Sequence, residues 1–193
     1  GTFSNKGKVT FTKIKKTDLG SVSIISQSGG LAIDMLRRGS SEGIKYNSIV
    51  SIGNSIDIGT NELLRYYLED ANTEVIGIYL ESISDGKTFY KLLRNRKTIK
   101  PVVILKGGRS TAGARAAASH TGSLFNDYRT WDALSKQTGT ILVKDLDEFI
   151  SALITFQNYR PLLTLGKKST LLFGNGGGAS VLAADQCEET GLD

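Results

Sequence analysis

The stretch VSIISQSGGLAIDML, residues 22–36, changes character twice within fifteen residues. VSIIS is short and rich in β-branched residues, as a buried strand is. QSGG interrupts it with a turn signal, and LAIDML resumes at helical spacing. Strand, glycine turn and helix in that order make one half of a βαβ unit. The same alternation recurs along the chain. Strand-like runs stand at SIVSI (48–52), VIGIYL (75–80), VVILK (102–106) and TILVK (140–144). Helix candidates cover 29–39, 60–71, 86–97, 122–138 and 146–157. Thr60 before NELL and Asp145 before LDEF are expected to cap two of them. Such alternation predicts an α/β fold, a doubly wound parallel sheet of about five strands with flavodoxin-like winding.

Outward from that unit, the organisation is uneven. Residues 1–20 carry no strand–glycine–helix pattern and read as an N-terminal segment or linker. Residues 21–160 form the main domain. Pro161 and Gly166 punctuate a linker-like stretch, 161–168, after which STLLFGNGGGASVLAADQCEETGLD reads as strand (169–173), glycine turn (174–178) and helix (179–190). One strand and one helix cannot bury a core of their own. Residues 169–193 are therefore expected to begin a second, similar domain.

The 193 residues are 39% hydrophobic, enough for a real core, with 22 glycines against 2 prolines. Glycine without proline or a short period speaks for tight turns and close backbone approaches rather than a linker or collagen. Cys187 is the lone cysteine, which forms no internal disulfide and fits a reducing compartment. No apolar run approaches the ~20 residues of a membrane span. No signal-peptide core stands at the start, so a cytoplasmic location is expected. The net charge is +5, with five lysines in residues 5–16. Without interleaved aromatics or a recognition motif, this fits a solvated, anion-attracting surface better than a nucleic-acid interface.

The chemistry concentrates at the glycine turns. Ser28, Gly29 and Gly30 stand where α-helical amides are unpaired and the dipole favours an anion. Asn175, Gly176, Gly177 and Gly178 repeat that arrangement. Neither stretch is a P-loop or a GxGxxG fingerprint, and each also reads as a plain tight turn. His120, the only histidine, lies in AAASHTGS (116–123), among small residues that leave room around it. Imidazole is largely neutral near pH 7 and is a nitrogen nucleophile, although spacing alone favours an idle loop histidine. Glu81, closing the third strand run, reads either as a carboxylate that holds an imidazole tautomer or as a surface acid. One histidine and one cysteine, 67 positions apart, make no metal site.

Taken together, ISQSGGLAIDML, SIGNSIDIGTNELLRYYLED, GIYLES, PVVILKGGRSTAGARAAASHTGSL and GNGGGASVLAADQCEETGL resemble the NDP-forming acyl-CoA synthetases. ADP-forming acetyl-CoA synthetase and, more distantly, succinyl-CoA synthetase belong to that family. The resemblance covers about residues 20–193, and SHTGS with KGGRS before it is its most specific part. It implies that His120 is phosphorylated in the catalytic cycle and that Glu81 holds it. It further implies that Ser28, Gly29 and Gly30 begin one phosphate-cradling "power helix", and that Asn175, Gly176, Gly177 and Gly178 begin the second. Ser119, Thr121 and Gly122 would support a moving loop.

The resemblance also implies a reaction: acyl-CoA, phosphate and ADP exchange with acid, CoA and ATP. CoA, phosphate and Mg-ADP/ATP would then be substrates, with no permanently bound cofactor. The partners would be a small-molecule acid and the CoA-binding and ATP-grasp domains or subunits of one oligomeric enzyme, with no nucleic acid or membrane. Neither of those domains is visible in the sequence, so the chain is expected to be a fragment. An alternative is a non-catalytic regulatory module of a protein lysine acetyltransferase, a subgroup that typically lacks the phosphorylatable histidine. A flavodoxin-like flavin binder is a weaker one.

Overall fold

A computed structural model describes residues 1–12, 19–98, 100–113, 115, 128–158 and 171–191. The chain divides into two units, Gly1–Arg160 and Pro161–Asp193.

The first unit is built on one sheet. Its strands are β1 (Thr2–Ser4), β2 (Val22–Ser26), β3 (Tyr46–Ser51), β4 (Val75–Leu80), β5 (Val102–Lys106) and β6 (Ile141–Val143), in the spatial order β1-β3-β2-β4-β5-β6. All neighbours are parallel except β1, which runs antiparallel along the edge of β3. The five parallel strands coincide with the five apolar runs, and their winding is flavodoxin-like. β1 falls in the N-terminal segment, where three residues are too few to carry a pattern.

Helices cover both faces. They are α1 (Gly29–Ser41), α2 (Thr60–Glu69), α3 (Gly86–Arg94), α4 (Tyr128–Thr138) and α5 (Leu146–Asn158). α1 and α5 bury Met35, Leu36, Phe149 and Leu153 against Ile24, Ile49 and Val103 on one face. α2, α3 and α4 bury Leu64, Tyr67, Phe89 and Trp131 against Ile25, Ile78 and Ile104 on the other. Every residue of β2 and β5 is buried, which is why those strands are continuous runs rather than alternating ones. Gly77 in β4 is a packing requirement. A Cβ there would stand 2.8 Å from Phe149 Cζ and 3.3 Å from Leu153 Cδ2, so α5 approaches the sheet only because the side chain is missing.

The two helix starts marked in the sequence behave differently. Asp145 caps α5 as expected, accepting from the Glu148 amide at 2.9 Å. Thr60 does not cap α2. Gly59 holds the cap position, its N–H donates to Glu62 Oε2 at 3.0 Å, and Thr60 is already the first helical residue, buried against the protein.

The second unit contains α6 (Gly177–Thr190), closed by Gly191 in the left-handed conformation, φ 70°. The helix begins two residues earlier than expected. The strand expected at 169–173 is not formed by residues 171–173, which have no ladder partner among the described residues. Leu171 and Phe173 are exposed there, as are Val181 and Leu182 on α6.

Candidate functional site

A doubly wound sheet forms a crevice where successive strands depart in opposite directions, outside their carboxyl ends. Here that point lies between β2 and β4, since α1 carries the chain to one side and α3 to the other. The turn after β2 holds Ser28, Gly29 and Gly30. The turn after β4 holds Glu81.

Gln27 ties the two turns together. Its backbone N–H donates to Tyr79 O at 3.1 Å. Its side-chain Oε1 accepts from the Glu81 and Ser82 amides at 2.6 and 3.0 Å, and its Nε2 donates to Ser82 O at 2.9 Å. One side chain thus saturates the backbone of the neighbouring turn and fixes Glu81 beside the start of α1.

Ser28 has a structural duty that its expected role did not include. It is the N-cap of α1, with Oγ accepting from Leu31 N–H at 3.2 Å, and its own amide donates to Ser26 Oγ at 3.1 Å. Gly29 and Gly30 occupy the first turn, where amides have no intrahelical acceptor, and both are exposed. Neither glycine is demanded by packing: a Cβ would meet nothing nearer than 3.7 Å at Gly29 and 3.9 Å at Gly30. Glycine inside a helix costs roughly 0.5–1 kcal/mol against alanine. Two of them in open space leave bare amides for a close-approaching anion.

Glu81 is half-buried. Its Oε1 accepts from the Tyr79 hydroxyl at 3.0 Å, while Oε2 is buried with no hydrogen-bond partner among the described residues. Burial and the adjacent carboxylate push the Tyr79 phenol well up, so it stays a donor. An uncompensated buried carboxylate oxygen is costly and calls for an N–H or O–H donor. Gly107 makes room for this arrangement, since a Cβ there would stand 2.9 Å from Tyr79 Oη and 3.3 Å from Glu81 Cγ.

Lys106 closes β5 and is 4% exposed. Its Nζ donates to Gly107 O and lies 5.8 Å from the centroid of the Trp131 ring. Burial pulls its pKa down, and the field of Glu81 works against that shift. Arg109, three residues on, donates to Lys144 O at 3.0 Å and stacks 5.1 Å from the Tyr128 ring. Lys106, Arg109, Lys144 and Tyr79 help line a hollow of about 550 Å³. β5 ends beside this hollow.

His120 and its neighbours Ser119, Thr121 and Gly122 lie outside the described residues. Asn175, Gly176, Gly177 and Gly178 lie in the second unit. Gly176 is the N-cap of α6 with no side-chain capping bond. Gly177 and Gly178 open the helix, and a Cβ added at either would meet no atom within 4 Å. The structure therefore brings the Ser28–Gly30 turn and Glu81 together in one crevice. Gln27 and Tyr79 join them without having been singled out from sequence, as does Lys106, which the sequence places at the ligand-binding end of its strand. The legible signal for Lys106 is a cation closing an otherwise apolar strand run. For Gln27 it is an amide side chain between two serines at a strand end. Among the described residues no group of three or more His, Cys, Asp or Glu side chains converges as metal ligands do.

Strand order and crevice define a flavodoxin-like α/β domain with a candidate site at the β2–β4 switch point. Residues 19–156 match the succinyl-CoA ligase like flavodoxin domain, and the chain belongs to that family. It is 34% identical over 191 residues to the acetate–CoA ligase (ADP-forming) II subunit alpha of Pyrococcus furiosus, covering 99% of this chain and 40% of the relative. It is 33% identical over 183 residues to the acetate–CoA ligase (ADP-forming) I of Archaeoglobus fulgidus, covering 95% of this chain and 26% of that protein. Among solved structures, a dinucleotide-forming acetyl-coenzyme A synthetase 1 from Ca. Korarchaeum cryptofilum, in complex with phosphate and ADP, superposes with a TM-score of 0.82 at 32% identity. That match covers all of this chain and 41% of the other. The chain thus spans about a quarter to two-fifths of the length of these relatives. The family expected from SHTGS, KGGRS and SQSGG is borne out, as is the flavodoxin-like fold.

Proposed function

We propose that the chain is the phosphohistidine-carrying domain of an ADP-forming acid–CoA ligase. The observation that carries this reading is the buried Oε2 of Glu81, without a hydrogen-bond partner among the described residues, beside the open N-terminus of α1. An imidazole N–H of His120 satisfies that oxygen. The hydrogen bond fixes the tautomer and leaves the other ring nitrogen as the nucleophile.

The sequence of steps balances. Phosphate attacks the acyl-CoA carbonyl, expelling the CoA thiolate and giving an acyl phosphate. The free nitrogen of His120 attacks its phosphorus, the P–O bond to the acyl group breaks, and the acid leaves as a carboxylate. Phosphohistidine then passes its phosphoryl group to ADP, giving ATP and regenerating the imidazole. The Gly29 and Gly30 amides donate to phosphoryl oxygens from positions set before the reaction, so little reorganisation is needed. The Asn175–Gly178 turn offers a second set of such donors. CoA, phosphate and the Mg-bound nucleotide are substrates, met together with CoA-binding and nucleotide-binding portions of the same enzyme. The retained SHTG histidine favours this reading over a regulatory module.

The test uses the protein with those portions, γ-labelled ATP and Mg²⁺. An acid-labile, base-stable label is expected on the wild type and none on His120→Asn; a label that persists in the variant rejects the proposal.

A further inference from the structure

Lys106 is a buried charge to which the proposed cycle gives no task. It closes β5 and is almost wholly enclosed. Its ammonium group has three N–H donors. Among the described residues it makes one hydrogen bond, to Gly107 O, and no ion pair with a carboxylate. The Trp131 ring of α4 adds a weak attraction from 5.8 Å. A cation withdrawn from water for so little return costs stability, and an apolar side chain of similar volume in its place avoids that cost.

The strand ends couple this cation to Glu81. Lys106 stands opposite Leu80 in the β4–β5 register, and the Gly107 amide donates to Leu80 O at 2.9 Å. Gly107 thus touches both groups. Its carbonyl accepts from Lys106 Nζ, and a Cβ on it would come 3.3 Å from Glu81 Cγ. Burial works against the charge on Lys106, and the field of Glu81 works for it.

The crevice needs that charge. A phosphoryl group carries about two negative charges near neutral pH. The N-terminus of α1 offers roughly half a positive charge in return. Glu81 adds a negative one. Arg109 and Lys144 are exposed, so water and salt screen them. Lys106 is buried, so its field is screened far less.

We infer that Lys106 is a positioning residue for the phosphotransfer, acting through Glu81: it balances the carboxylate so that the phosphoryl group on His120 is held beside it. The inference rests on the ligase reading above. In the step from ATP, the unprotonated ring nitrogen bonds to the γ-phosphorus. The bond from that phosphorus to the β–γ bridging oxygen breaks, and ADP leaves with the electron pair. The other ring nitrogen keeps its proton. Lys106 touches none of the reacting atoms; it lowers the repulsion that the arriving charge meets.

The test uses the protein with its CoA-binding and nucleotide-binding portions, equilibrated with γ-labelled ATP, ADP and Mg²⁺ at a fixed ATP-to-ADP ratio. Phosphohistidine is counted on wild type, Lys106→Met and Lys106→Arg. Lys106→Met is expected to lower the ratio of phosphorylated to free histidine at least fivefold, and Lys106→Arg, which keeps the charge, is expected to recover most of that loss. Removing a desolvated cation relieves a cost, so the urea midpoint of Lys106→Met at pH 7 is expected at or above that of wild type. A purely structural lysine would leave the phosphorylation equilibrium of such a folded variant unchanged. A change smaller than fivefold, or the same loss in both variants, overturns the inference while the labelled wild type upholds the ligase reading; a wild type that takes no label overturns both.

Discussion

At the scale of single residues, the site is a set of polar atoms whose partners are counted one by one. Ser28 serves α1 before it serves any ligand. Ser28→Ala is expected to cost about 1 kcal/mol of stability through the lost cap, read as a shift in the urea midpoint with an unchanged slope. Gln27 works at a distance from the reaction, because it holds the backbone of Glu81 and Ser82 rather than a reacting atom. Gly107 shows how little slack there is. Gly107→Ala places a methyl 2.9 Å from Tyr79 Oη and 3.3 Å from Glu81 Cγ, and is expected to break the Tyr79–Glu81 hydrogen bond. Tyrosine titration followed by absorbance checks this: one of the strongly raised phenols should drop back toward the ordinary value in the variant, and an unchanged titration would count against the tight packing.

At the scale of elements, the doubly wound pattern is legible because buried parallel strands write their burial directly into the sequence. VSIIS and VVILK are fully buried, with only Ser23, Ser26 and Lys106 polar among them, and both coincide with strands of the sheet. β1 is not legible, since three edge residues contribute no run that a pattern detects. The cap of α2 differs from expectation because Gly59 holds the cap position, where the Glu62 carboxylate accepts from its amide, and Thr60 is already the first helical residue. The strand expected at 169–173 fails for residues 171–173 because strand propensity without a neighbouring ladder forms no strand. As for the site, the chain positions of Ser28–Gly30 and Glu81 are readable, but their convergence is not. It depends on Gln27 reaching across from one turn to the next, 54 and 55 residues away in sequence. α5 tests the packing argument at this scale. Gly77→Ala drives a methyl into Phe149, and overpacking of this kind typically costs ~1–3 kcal/mol. A thermal or urea midpoint equal to that of wild type would contradict the close approach of α5 to β4.

At the scale of the molecule, the fold carries a buried cation at the edge of its own site. Lys106 bears a desolvation cost that its carbonyl contact and the field of Glu81 offset only in part, so its folded pKa lies below the ordinary 10.5. With the folded value depressed, the unfolded chain binds more protons between the two values. The penalty is therefore complete below the folded pKa and disappears as the pH rises to the ordinary value. Wild type is expected to gain stability relative to Lys106→Met across that window, measured as the difference between their urea unfolding free energies at pH 7 and pH 10. A difference that stays flat means that Lys106 is not desolvated. The second expectation at this scale concerns the whole enzyme. The family and fold place the crevice at the β2–β4 switch point, and the proposed cycle needs the lone histidine to reach it. Because the chain has one histidine, its ring nitrogens give a single, unambiguous set of signals. The most direct measurement is a long-range ¹H–¹⁵N spectrum of His120 across pH, in the presence of inorganic phosphate, for wild type and Glu81→Gln. In wild type the account predicts one fixed tautomer, lost in Glu81→Gln; a wild-type ring that already exchanges between tautomers and ignores the substitution contradicts it.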